Sequence, residues 1–326
     1  VVIALGSLVY GHFKIEGDAL LKRADLGGDY VSSFYDADTP ALYIARGANN
    51  ELMTPLPELP RYNDYPLGSL NIKLHEQRFF DTLVSPNLRM TIPGFYAYAR
   101  PELRDGEPVS VPHPQRQKEH DGRYTRSLLP IKLTLDRPPT RGGIWQRTVW
   151  LSFMRYPDEP RGRHRPKRIE VPSVGTLTLT FSRQRKPLPF DMQLRDFDMQ
   201  PYPGTNLPRD FMATLALIDL GPDGQRTGEP SVRQASLNEP IVYHPSHASL
   251  AMHRVKLSQN GWDPPQPSEP NPRAKNAEGR LINQQTYAMI GVSNNVAVRV
   301  IFVGGIMIVA GVPWAFFVKP RLQERK

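Results

Sequence analysis

GTLTLTFSRQRKPLPFDMQLRDFDMQPYPGTNLPRDFMATLALID, Gly175 to Asp219, carries the plainest strand pattern in the chain. Its opening, Thr176 to Phe181, reads TLTLTF, with the leucines and the phenylalanine on one face and the threonines on the other. A period of two marks a half-buried strand. Phe190, Met192 and Leu194 continue the pattern, and Phe211 to Ile218 is a longer apolar run that ends at the turn residues Gly221-Pro222-Asp223-Gly224. Outward from there, Leu70 to His75 alternates in the same way. So do Ile131, Leu133 and Leu135 against Lys132, Thr134 and Asp136, and Leu250 to Leu257 supplies a further strand. No stretch in this middle region keeps an amphipathic helical period for more than about three turns. The reading is mostly β, an antiparallel β sandwich or open barrel.

Composition agrees. The chain has 326 residues, 39% hydrophobic and 22% charged, enough to bury a sizeable core. Its 34 prolines favour turns and sheet edges over long helical bundles. Cysteine is absent, which excludes a disulfide framework, a cysteine nucleophile, a Cys-based metal site and covalent haem attachment to this chain. Residues 156–172 and 264–272 are proline-rich connecting segments, and the first could divide the domain into two lobes.

The two ends read differently. Val300 to Val318, VIFVGGIMIVAGVPWAFFV, is a run of 19 residues without a charge. As a helix it would cover about 28 Å, close to the ~30 Å of a bilayer core. The sequence therefore predicts a complete transmembrane helix over 299–318 and a basic cytoplasmic tail over 319–326. VVIALGSLVYGHF at the other end is too short to cross and reads as the outer end of a transmembrane helix, residues 1–13. Residues 14–298 then form an extracytoplasmic β domain. The expected location is the bacterial inner (cytoplasmic) membrane, with lipid as a partner and the large domain periplasmic. The net charge of +9 includes the tail's Lys319, Arg321, Arg325 and Lys326 against Glu324. A modestly basic domain on that side speaks against nucleic acid as a partner.

A search for chemistry finds little. There is no GxSxG, HExxH, Walker or GxGxxG pattern. His244 and His247 lie three apart in a Pro-containing turn, with no further metal ligand nearby. His253 falls on an alternating strand. Asp191, Asp196 and Asp198 are close in sequence, with no sign of a cleft. RGRHRPKR, Arg161 to Arg168, can meet acidic headgroups or an acidic partner, although its composition favours a solvated loop. No catalytic and no metal-binding residue is assigned. His12, at the outer end of the first membrane segment, is the one possible haem-proximal residue.

From about residue 174 onward the chain resembles the ResB/CcsB family of cytochrome c biogenesis membrane proteins. Leu188-Pro189-Phe190, Leu194, Phe197, Tyr202-Pro203-Gly204-Thr205 and Pro208-Arg209-Asp210-Phe211 stand in the places of the family's strand motif. SLNEPIVY (Ser236 to Tyr243) and LSQNGWDP (Leu257 to Pro264), with Gln259 and Trp262 in register, resemble two later segments. The block from Tyr287 through residue 318 is similar to the family's closing strand and last helix. The resemblance implies Pro189, Phe190, Phe197, Tyr202, Gly204, Phe211, Gln259 and Trp262 as motif residues of structural type. It implies a role in cytochrome c maturation, positioning haem or apocytochrome c beside a partner membrane subunit of the CcsA type. Haem would then be shared with or bound by that partner. Such a chain is a non-catalytic component rather than a stand-alone enzyme. The alternative is a scaffold subunit of a respiratory or photosynthetic membrane complex with no haem-ligation role.

Overall fold

The computed structural model describes residues 13–47, 51–60, 70–72, 88–104, 107–112, 124–136, 143–157, 165–203, 208–236, 238–249, 251–262, 287–294, 298–314 and 316. They form two compact units. Val1–Phe34 and Lys186–Lys326 make up the first, and Tyr35–Arg185 the second. The proline-rich stretch 156–172 falls within the second unit.

The first unit is built on strands β1 (Glu16–Lys22), β12 (Pro208–Leu220), β13 (Arg226–Ser236), β14 (Ile241–Tyr243), β15 (Val255–Trp262) and β16 (Tyr287–Ser293). It also takes the start of β2 (Val31–Ala45) and the end of β11 (Gly175–Pro201). The hydrogen-bonded order is β13-β12-β11-β2-β1-β16-β15-β14. Strand β13 also packs against β14 and β15, so the sheet curls until its two ends meet. Inside the curl the alternate residues Phe190, Met192 and Leu194 face Leu217 and Leu215 of β12, and all of them are buried. A register shift between Leu194 and Asp196 inserts one extra residue, Arg195. That bulge keeps Phe197 in the core, because an unbroken period of two would have turned it outward.

A second bulge, between Gln259 and Gly261, lies in the QNGW segment. The extra residue, Asn260, sends its Nδ2 across Gly291 to donate to the buried Asp18 Oδ1 at 3.0 Å. A Cβ on Gly291 would sit 2.2 Å from that nitrogen, so only glycine lets the amide pass. The first and last strands close the unit by antiparallel pairing, from Glu16 opposite Ser293 to Lys22 opposite Tyr287. Asn294 locks the junction. Its Oδ1 accepts from the Ile15 N–H at 3.0 Å, and its Nδ2 donates to the carbonyls of Phe13 at 2.7 Å and Ala251 at 2.8 Å.

The second unit is a sandwich. One layer has the order β10 (Lys167–Val171), β11, β2, β3 (Glu51–Pro55). The other has the order β4 (Leu70–Ile72), β5 (Leu88–Ile92), β8 (Leu128–Asp136), β9 (Ile144–Ser152). Strands β6 (Ala99–Arg104) and β7 (Glu107–Pro112) form a separate hairpin. The leucines of TLTLTF, Leu177 and Leu179, are completely buried against Ile131, Leu133 and Leu135 of β8 and their neighbours. Each such side chain contributes about 1.5–3 kcal/mol of burial. Phe181 packs edge-on against Phe153 at 5.2 Å. The Tyr43 hydroxyl bridges β11, donating to the Arg183 carbonyl at 2.6 Å and accepting from the Arg185 N–H at 2.9 Å.

The structure departs from the expected membrane helices. The helix α1 (Val298–Pro313) has 16 residues. At 1.5 Å per residue it is about 24 Å long, short of a ~30 Å hydrocarbon core. No helix among the described residues is long and apolar enough to cross a membrane. The apolar run suggested a longer span, but its α-helical part ends at Pro313, a proline inside the helix, and the first turn carries Arg299. The helix exposes Phe302, Ile306, Val309 and Val312. The flanking transmembrane helices, and the inner-membrane location with a cytoplasmic C-terminus derived from them, are accordingly withdrawn. Residues 1–12, including His12, lie outside the described residues, as does the tail 319–326.

Asn294→Ala removes these three side-chain bonds and leaves a partly buried N–H and two partly buried carbonyls at the closing junction. We expect it to cost about 2–4 kcal/mol in urea unfolding, with Asn294→Asp no better because its carboxylate would face two carbonyls.

Candidate functional site

The motif residues of the second half meet in the first unit as structural parts. Phe190 and Phe197 are core residues of β11, and Phe211 of β12 stacks on Phe197 at 6.3 Å. Pro189 is half-buried in β11, while Tyr202 is exposed just beyond it. Gln259 is buried, its Nε2 donating to the Gly261 carbonyl across the bulge. Trp262 pairs with Ala288 at the end of β15, and Gly204 lies outside the described residues.

Sequence reasoning missed Asp219, which ties two of these segments together. Its Oδ1 accepts from the Tyr243 hydroxyl at 2.6 Å, and its Oδ2 accepts from the N–H of Ser246 at 3.0 Å and from the Ser246 hydroxyl. Tyr243 packs edge-on against Phe190 at 4.8 Å. Burial pushes the Tyr243 phenol upward, and the bond to Asp219 pushes it the same way. Partial burial of Asp219 works to raise its pKa. The hydrogen bonds from Ser246 and Tyr243, with His247 nearby, outweigh that and hold the carboxyl below the usual carboxylate range. Nothing in the pattern LALID marks Asp219, because the partners lie 24 and 27 positions further on.

Two other carboxylates flagged from sequence also have structural work. Asp191 is buried and accepts from Arg226 Nε at 2.6 Å, and the Arg226 guanidinium lies 4.3 Å over the Tyr30 ring. Asp196 is exposed, with its carboxylate 3.7 Å from Arg23, and Asp198 is exposed on the same strand. The three do not converge on one cleft, since Asp191 lies before the Arg195 bulge and is engaged by β13.

The described histidines do not form a ligand set for the implied haem. His244 and His247 are exposed on the turn after β14. His253 is exposed in a bend before β15 begins at Val255, not on the strand itself. None of these three is enclosed in an apolar pocket. No group of three or more His, Asp or Glu side chains among the described residues could hold a metal ion.

The second unit carries a groove of about 800 Å³ lined by residues 101–103 of β6, 146–150 of β9 and 167–169 of β10. The consecutive numbering is informative. A strand that shows a groove its face contributes every second residue, whereas one that shows its edge contributes all of them. Arg147, Lys167 and Arg168 bring positive charge to this groove, and the single lining carboxylate, Glu102, is already paired with Arg100. Lys167 and Arg168 end the RGRHRPKR run. They stand on a strand, not in the solvated loop that composition favoured. No family model matches this chain, and no curated protein matches it.

Asp219 has a lowered folded pKa, so its contribution to stability is present above its unfolded pKa of about 4 and is lost as pH falls through the folded value. Asp219→Asn should cost about 1–2 kcal/mol at pH 7 in chemical denaturation, allowing for its partial exposure. The gap between the two proteins should close progressively below about pH 4.

Proposed function

We propose that this chain is a ResB-like protein that holds apocytochrome c beside a haem-carrying partner subunit of the CcsA type during cytochrome c maturation. One observation supports the reading above the others. The sequence segments that carry the resemblance, Gly175 to Asp219 from Lys186 onward, Ser236 to Tyr243, Leu257 to Trp262 and the strand from Tyr287, are separated in the chain yet contribute strands to one unit with a common core, while the opening TLTLTF belongs to the other unit. Within it they act as packing, bulge and turn residues, as a positioning role requires. The thiols that form the thioether bonds belong to the apocytochrome, and this chain, with no cysteine, does not compete for the haem vinyl groups. Holding two reactants together supplies a large part of the rate of such a step. In this reading the partner carries the haem and this chain holds the protein substrate.

Deletion of the gene tests the reading. Covalent haem staining of c-type cytochromes should disappear from the deletion strain and return when the intact gene is restored. Unchanged staining would overturn the proposal in favour of a scaffold subunit.

A further inference from the structure

The groove of the second unit has a feature that the maturation reading does not use, and the inference from it does not depend on that reading. Strand β9 is hydrogen-bonded to β8 alone, and β10 to β11 alone, among the described strands. Both turn an outer edge to the groove. Backbone N–H and C=O groups along such an edge are a template for an added strand.

Register explains the charge. Arg147 stands opposite Leu133 and shares its face of β9 with Val149 and Leu151, which are buried. Lys167 stands opposite Leu179 and shares its face of β10 with Ile169 and Val171, also buried. Each cation therefore occupies a core-facing register position beside the groove, Lys167 at the start of β10 and Arg147 between Val149 and the half-buried Trp145. Both are exposed, as is Arg168. None of the three has an ion pair among the described residues, whereas Arg89, Arg100 and Arg185 of the same unit do. Apolar side chains would ordinarily fill these inward positions. Three cations without an ion pair among the described residues, along two strand edges that no described strand hydrogen-bonds, select a ligand that is both extended and negatively charged.

We propose that this groove binds an extended acidic peptide segment, which adds as a strand along β9 and sets its carboxylates against Arg147, Lys167 and Arg168. The backbone ladder supplies affinity and the three cations supply selectivity, as in other strand-addition sites.

Fluorescence anisotropy of the full chain with a labelled eight-residue peptide of alternating glutamate and valine tests this. Binding should be saturable and weaken as salt rises. The same peptide N-methylated at every second residue, which blocks one hydrogen-bonding edge, should bind at least about tenfold more weakly, and so should a lysine–valine peptide. Combining R147E, K167E and R168E should likewise cost at least about tenfold. Circular dichroism checks its fold, and R168E alone, on the outward face of β10, gives a milder loss if the triple variant misfolds. Absence of binding, equal binding of the methylated or the lysine peptide, or an unchanged triple variant would each overturn the proposal. So would displacement by inorganic phosphate at ordinary buffer concentration, which would mean an anion site only.

Discussion

The first unit exists because β1 pairs with β16. That ladder joins Glu16–Lys22 to Tyr287–Ser293, with the whole second unit threaded between them in sequence. Closing so long a loop costs entropy before any contact repays it, although the cost grows only slowly with length. The Asn294 side chain adds three hydrogen bonds at the point of closure, where chain entry, chain exit and the residue 251 turn meet. Without this junction the apolar faces of β1 and β16, Ala19, Leu21, Ile290 and Val292, would lose the partners that bury them.

Two bulges do the second half of the work. Arg195 lets one long strand keep Phe190 and Phe197 in the same core, and Asn260 reaches over a glycine to a buried aspartate. In both cases the resembling motif encodes a deviation from regular alternation, which explains why it contains residues of no evident chemistry. The Asp219–Tyr243–Ser246 cluster has the same character, a charge-assisted knot between segments and not a reactive centre.

The groove of the second unit shows the opposite economy. There the alternation is regular and the residue type departs from it, with Arg147 and Lys167 placed where burial would favour an apolar side chain. Regular backbone with exceptional chemistry at two facing edges points to recognition, whereas irregular backbone with apolar contents points to construction. The two units divide these characters between them.

Sequence alone determined the strands. Side-chain alternation is local, so TLTLTF, Ile131–Leu135 and Phe211–Ile218 could be read without knowing their neighbours. It misjudged α1, because hydropathy counts apolar residues and a membrane span needs a continuous helix of sufficient length. It also carried His253 into a strand, because alternation does not mark where the preceding turn ends. Lys167 and Arg168 stood out as part of a charge run, whereas Arg147 was not singled out by the sequence. Which strands are edges, which cations lack partners and which carboxylate meets Tyr243 are set by pairings across tens to hundreds of residues. Only the tertiary structure decides those, since hydrogen-bond register and burial belong to pairs of segments and are written in neither one by itself.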